Sequence, residues 1–216
     1  MSVLVVTRVR ARPGGETTLI AAAVRSFQAP AAGRAGEAAP RLFQGYDDPQ
    51  RFYWVTRWAD AELYLAGVPA GMADEWLNEV CEDEMERAFF TAMDAPAAPA
   101  AVAGGALIVF DAASARTRAA GEQLLGQLRA EPAVSAVALY PGREDPGQYL
   151  ALCGWESEDA RQRFYAQALP RYEAIMRQHG GRIEPFVERT LVDVDRYPRE
   201  SYATRPAIRA GQTPTD

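Results

Sequence analysis

The sequence predicts an α+β protein of two tandem ferredoxin-like halves, each a split βαβ unit, packed sheet to sheet. Three observations predict it. A turn-and-strand motif occurs twice at fixed spacing, the same succession of strand and helix patterns surrounds each copy, and an Ala/Pro/Gly stretch separates them. The motif runs from Leu42 to Trp58 and again from Leu139 to Trp155. Asp48 and Pro49 match Asp145 and Pro146, Phe52 matches Tyr149, and Trp58 matches Trp155, each pair 97 residues apart. Leu42 and Leu139, and Phe89 and Phe186, keep the same spacing. Self-similarity at one register is the mark of a duplicated unit.

In the first half, Val3 to Arg10 is rich in β-branched residues and ends at Arg12-Pro13-Gly14-Gly15, so it reads as a strand. Leu19, Ile20, Ala23, Val24 and Phe27 recur at helical spacing and predict a helix from Glu16 to Gln28. A Pro/Ala/Gly-rich loop from Pro30 to Pro40 ends it. Leu42 to Tyr46 and Arg51 to Trp58 form a hairpin about Asp47-Asp48-Pro49, where proline's fixed φ suits a turn. Asp60 caps a helical region holding Leu63, Tyr64, Trp76, Leu77 and Val80. Met85 to Met93 is the last strand. The second half repeats this order: a strand from Leu107 to Asp111, a helix capped by Ser114, and a hairpin of Val134–Tyr140 and Gln148–Trp155. A helix capped by Ser157 then restarts at Pro170 and ends at Gly180-Gly181, before a strand from Ile183 to Val194. The divisions are 1–95 for the first half, 96–105 for a linker, 106–195 for the second half, and 196–216 for a polar tail that Tyr197 and Tyr202 could anchor.

Along Arg51–Trp58, Phe52, Trp54, Thr56 and Trp58 share one strand face, and Tyr53, Val55 and Arg57 share the other. Both faces carry large apolar groups, so both need cover. Helices supply it on one side; the sheet of the other half supplies it on the second, which makes an intramolecular α/β barrel.

Composition narrows the chemistry. All 23 basic residues are arginine, so lysine Schiff bases, pyridoxal phosphate attachment and a phosphate-loop lysine are excluded. One histidine, His179, cannot build a His-rich metal centre within one chain, and Cys81 and Cys153 have no metal-ligand spacing. No Gly-x-Gly-x-x-Gly follows a strand and no Gly-x-Ser-x-Gly occurs. A net charge of -6 gives no basic footprint for nucleic acid or an anionic membrane. No apolar run is long enough to span a bilayer, and the apolar start is too short for a signal peptide, so the expected location is the cytoplasm.

The first strand ending Arg10-Ala11-Arg12-Pro13-Gly14, the Asp48-Pro49-x-x-Phe52 turn, Trp58, and their second-half counterparts Asp145-Pro146-x-x-Tyr149 and Trp155-Glu156-Ser157-Glu158-Asp159-Ala160 resemble the antibiotic biosynthesis monooxygenase family of the dimeric α+β barrel superfamily. The resemblance implies a cavity between sheet and helices in each unit. It implies oxidation of a small aromatic or quinol-like molecule by O₂, with no metal or flavin and O₂ as co-substrate. Other relatives degrade haem, using an asparagine on the first strand that this chain lacks. The expected assembly is a monomeric pseudo-dimer or a homodimer.

Seven residues are candidates for catalysis, each with a plainer role beside the functional one. Trp58 and Trp155 either line a pocket and donate their indole N–H to substrate, or close the sheet end as core aromatics. Arg8 and Arg57 stabilise a developing enolate or phenolate if they face the helix side, or occupy a solvated barrel rim. Tyr64 and Tyr165, with Tyr172 beside them, are pocket phenols that exchange protons or core filler. His179 is a general base or haem ligand, or simply suits a helix C-terminus. Three functions follow as expectations: a cofactor-independent monooxygenase, a non-catalytic ligand-binding or scaffold protein, or a haem-binding protein. An open pocket of roughly 300 Å³ or more would favour the first over the second.

Overall fold

The computed structural model describes residues 2–21, 41–67, 80–82, 85–92, 102–110 and 114–188. The remainder of the first helix to Gln28, the loop to Pro40, Trp76, Leu77, residues 96–101 of the expected linker and the 196–216 tail lie outside the described residues.

The strands are β1 (Val3–Arg10), β2 (Arg41–Gly45), β3 (Arg51–Trp58), β4 (Glu86–Thr91), β5 (Val102–Val109), β6 (Ala136–Pro141), β7 (Gln148–Trp155) and β8 (Arg182–Glu188). Helix α1 is described over residues 16–21. The others are α2 (Ala61–Gly67), α3 (Ala115–Arg129), α4 (Glu158–Arg163), a π-helical turn (Phe164–Ala168) and α5 (Leu169–Gln178). β5 begins at Val102, so Gly104 and Gly105, expected in the linker, are strand residues.

The capping residues act as their side-chain chemistry dictates. Asp60 Oδ1 accepts from the Leu63 amide at 2.7 Å, Ser114 Oγ from Thr117 at 3.4 Å, and Ser157 Oγ from Ala160 at 3.2 Å. The expected break at Pro170 is instead a widened turn within a continuous helix. Proline has no N–H and its ring crowds the carbonyl four residues back, and the Leu169 amide reaches five residues back to the Phe164 carbonyl. Gly180, at φ +72°, lets the Gly181 amide reach the Met176 carbonyl at 2.9 Å and ends the helix.

All eight strands belong to one antiparallel sheet in the order β4-β1-β3-β2-β8-β5-β7-β6. The halves therefore do not stack as two separate sheets. They join at their edges, through Phe43–Glu188, Gln44–Val187 and Gly45–Phe186 pairs between β2 and β8. At the far edges Phe90 bridges Gly142, and the Arg143 amide donates to the Phe89 carbonyl at 2.8 Å. The sheet is thus nearly closed into a barrel. Its interior is one apolar cluster with side chains from every strand, among them Val6, Phe43, Tyr53, Phe90, Leu107, Tyr140, Leu150 and Phe186. Phe186 lies 5.0 Å from Phe43 and 4.7 Å from Tyr53, ring centre to ring centre, which locks β8 of one half onto β2 and β3 of the other.

The two hairpin turns share one geometry. Asp48 accepts from the Gln50 amide and Asp145 from the Gly147 amide through side-chain oxygen. A Cβ on Gly45 or Gly142 would sit 2.5 Å from the Asp48 or Asp145 carbonyl oxygen, so both turns need glycine. The Phe89–Phe186 match does not survive. Val3 faces Trp58 and Val102 faces Trp155, yet Phe89 pairs with Val5, two residues on, while Phe186 pairs with Gly105, three residues on. The shift by one puts them on opposite faces: Phe89 packs on Tyr64 beneath the helix, and Phe186 fills the barrel.

Gly105 marks the tightest approach in the barrel wall. A Cβ there would overlap the Ala151 carbonyl oxygen and stand 2.8 Å from the Phe186 ring. Gly105→Ala is expected to cost about 1–3 kcal/mol by overpacking, read as a lowered denaturation midpoint with an unchanged m-value.

Candidate functional site

The strand faces that turn outward from the barrel carry helices. In the second half, β5, β7 and β8 meet α3, the π-helical turn and α5 around a core of Ile108, Leu124, Cys153, Trp155, Phe164, Tyr172 and Met176. A cavity of about 30 Å³ lies within it, walled by apolar and aromatic residues that include Cys153, Trp155, Phe164, Tyr165 and Tyr172. That is room for a water or a diatomic molecule, not for an aromatic ring.

Trp155 ends β7 and is 0% exposed. Its Nε1–H has no hydrogen-bond partner among the described residues. The Tyr165 hydroxyl donates to the Phe186 carbonyl at 2.8 Å, and the Tyr172 hydroxyl donates to Glu131 at 2.8 Å. Burial raises the pKa of Tyr165, and burial followed by the Glu131 contact raises that of Tyr172. Burial pushes the Cys153 thiol up to about 12. These groups stay protonated near neutral pH, so the expected proton exchange at Tyr165 gives way to a structural hydrogen bond. A Cβ on Gly104 would meet the Tyr165 hydroxyl and the Phe186 carbonyl, each at 2.8 Å, so glycine there permits that bond. The first half reaches this site from outside: Tyr46, in the β2–β3 turn, packs on Tyr165 at 4.6 Å between ring centres.

Trp58 occupies the matching place in the first half. It packs edge-on against Tyr64 at 5.3 Å with Val3 and Val5 beneath. Its indole is satisfied within the strand, donating to Thr56 Oγ1 at 3.0 Å. Trp58 and Tyr64 are both buried in this cluster.

The arginines face the other way. Arg8 shares its strand face with Leu4 and Val6, so it points into the end of the barrel and not toward the helices. It donates to both oxygens of Glu184, at 2.9 and 2.7 Å, and to Glu86. Tyr53 joins through its hydroxyl, 3.1 Å from Glu184. Arg57, opposite Leu4, reaches Ser2 Oγ at 3.3 Å near the other end, where Arg41 pairs with both oxygens of Glu188. Neither arginine lies at the cavity. His179 is the half-buried C-cap of α5 and is not among the cavity-lining residues. The 30 Å³ space is smaller than a haem, and His179 does not line it. No cluster of three metal-ligating side chains occurs among the described residues, and no described helix is long and apolar enough to cross a membrane.

Sequence reasoning singled out Trp155 and Tyr165 but missed Cys153, Gly104 and Tyr46. The signal for Cys153 was present: it stands at the repeat position of Thr56, 97 residues on.

No family model matches the chain, and no curated protein matches it. Solved structures do. An anthrone oxidase-like protein superposes with a TM-score of 0.62 at 14% identity, over 88% of this chain and 92% of the other. A candidate monooxygenase from Lactobacillus acidophilus NCFM superposes at 0.52 and 10% identity, over 88% and 94%. A candidate chlorite dismutase superposes at 0.51 and 8% identity, over 90% and 98%. At such identities the likeness is one of fold: an α+β protein with a nearly closed antiparallel sheet.

Glu184 gives the barrel end a measurable pH dependence. Burial acts to raise its pKa, but hydrogen bonds from Arg8 and Arg182 outweigh burial and hold it below the usual glutamate range. The stability it contributes is complete above the unfolded value, roughly 4.3, and is lost as pH falls through the folded value. Glu184→Gln is expected to cost about 1–3 kcal/mol at pH 7 in denaturant titrations, with the gap to wild type narrowing below pH 4.

Proposed function

We propose that the chain is a cofactor-independent monooxygenase that oxidises a small aromatic or quinol-like molecule with O₂, and that the second half carries the working pocket. The observation that carries this reading is the apolar cavity between sheet and helices in the second half, walled in part by Trp155, Tyr165 and Cys153. The names of the solved relatives, candidate monooxygenase and anthrone oxidase-like protein, support it. In the same reading residues 1–95 and 106–195 are two copies of one ferredoxin-like unit. Their strand orders, β4-β1-β3-β2 and β8-β5-β7-β6, are the same permutation, as an intramolecular counterpart of a dimeric α/β barrel requires.

The chemistry needs no external reductant. A substrate with an activated ring CH₂ loses one proton, and its carbanion passes one electron to O₂. The radical and superoxide combine to a peroxide. Loss of water leaves a C=O, with one oxygen atom in product and the other in water. Tyr165 and Cys153 remain protonated, so the substrate's own acidity supplies the anion. The protein supplies a dry wall and a hydrogen bond to the reduced oxygen. An aromatic ring exceeds the present cavity, so in this reading the wall formed in part by Phe164 and Tyr165 of the π-helical turn gives way as the substrate enters.

One observation favours a non-catalytic scaffold instead: aromatic side chains leave only about 30 Å³ open. Oxygen consumption by metal-free protein with anthrone and hydroquinone substrates separates the two readings. The expected result is one O₂ consumed per substrate and a loss on the order of a hundredfold in Trp155→Phe. No uptake across such substrates assigns the scaffold role.

A further inference from the structure

The second half does not cover its own cavity wall unaided. Tyr165 lines the cavity from the π-helical turn and is 3% exposed, because side chains of both halves pack on its ring. Trp155, Phe164 and the Arg161 guanidinium approach from the second half, at 5.5, 5.8 and 5.3 Å from the ring centre. Tyr46 approaches from the first half and is the nearest of the four, at 4.6 Å. It is also the most exposed of them, at 43%, where Trp155 and Phe164 are buried.

Backbone register sets the Tyr46 ring in this place. β2 pairs with β8 as far as Gly45 and Phe186, and the Tyr46 amide adds a bond to the Pro185 carbonyl at 2.9 Å. Phe43 and Phe186 turn into the barrel, so Tyr46, three residues past Phe43, turns outward onto Tyr165. Charge does not clamp this seam. Burial, then the nearby Asp47 carboxylate, raises the pKa of Glu173 on α5, with Arg177 of the same helix acting the other way. The carboxylates facing each other across the seam therefore repel, and ring packing holds it. The matching residue of the second hairpin turn, 97 positions on, is Arg143, so a ring stands at this place in one turn only.

We propose that Tyr46 is a latch supplied by the first half: its ring braces Tyr165, and the cavity of the second half opens when the two rings part. The proposal rests on the monooxygenase reading for its purpose, the passage of substrate through this wall, and its test requires no turnover. Cys153 lines the same cavity and its free thiol is buried, so its modification reports opening. In full-length protein carrying Cys81→Ala, which leaves Cys153 as the sole thiol, modification by methyl methanethiosulfonate is followed by mass at a series of low urea concentrations. Opening of the wall alone exposes little surface, so its rate changes little with urea, whereas modification through global unfolding rises steeply.

The expected result is a rate nearly independent of urea that rises about two- to tenfold in Tyr46→Ala, the weight of one aromatic pair in an opening equilibrium. Tyr46→Phe, which keeps the ring, should stay at the parent rate. Tyr46→Gln should show the same rise as alanine and serves as a second variant should the alanine protein fold poorly. An unchanged rate in Tyr46→Ala, an equal rise in Tyr46→Phe, or a rate that follows global unfolding at every urea concentration overturns the proposal. Oxygen-consumption assays separate the two claims. Faster labelling in Tyr46→Ala without substrate oxidation by the wild-type protein leaves the latch standing and removes the monooxygenase reading. Oxidation with a labelling rate indifferent to Tyr46 removes the latch and keeps that reading.

Discussion

Closure of the sheet is the constraint on which the molecule depends. Each half has a sheet with helices on one face and a second face rich in Phe, Leu, Tyr and Val. Left bare, that face would expose a large apolar patch and two unpaired edges. Joining β2 to β8, and bridging β4 to the chain just after β6, removes both problems together. The barrel interior is packed with apolar side chains. It is filled by side chains from all eight strands, and charged clusters sit toward its ends: Arg8, Glu184 and Glu86 toward one, Arg41 with Glu188 toward the other. The second-half cavity lies outside the barrel, between a sheet face and its helices.

That division explains where the candidate residues went. Strand alternation sends Arg8 and Arg57 inward and Trp58 and Trp155 outward. The inward arginines are held by carboxylates or Ser2 and serve the barrel ends. The outward tryptophans sit under helices, where a cavity can form. The π-helical turn before Pro170 sets Phe164 and Tyr165 against Trp155, with ring centres 5.6 and 5.5 Å from it. Pro170 thus shapes the cavity wall without touching it.

The two halves keep some matching positions and differ at others. The hairpin turns keep the same aspartates and glycines because their backbone geometry demands them. Positions under the helices carry no such demand. Thr56 and Cys153 differ there by a hydroxyl against a thiol, and the difference decides whether a buried indole is satisfied.

The sequence by itself determined most of the elements, caps and turns, because these rest on local periodicity and on side chains that bond within a few residues. Asp60, Ser114 and Ser157 were legible as caps for that reason, and the turns at Asp48 and Asp145 likewise. Tertiary structure alone decided the edge-to-edge joining of the halves, the inward turn of Arg8, the placing of Phe89 and Phe186 on opposite faces, and the cavity under the helices. Each depends on strand register between segments far apart in the chain. A shift of one residue there reverses which face a side chain occupies, and no local pattern records it.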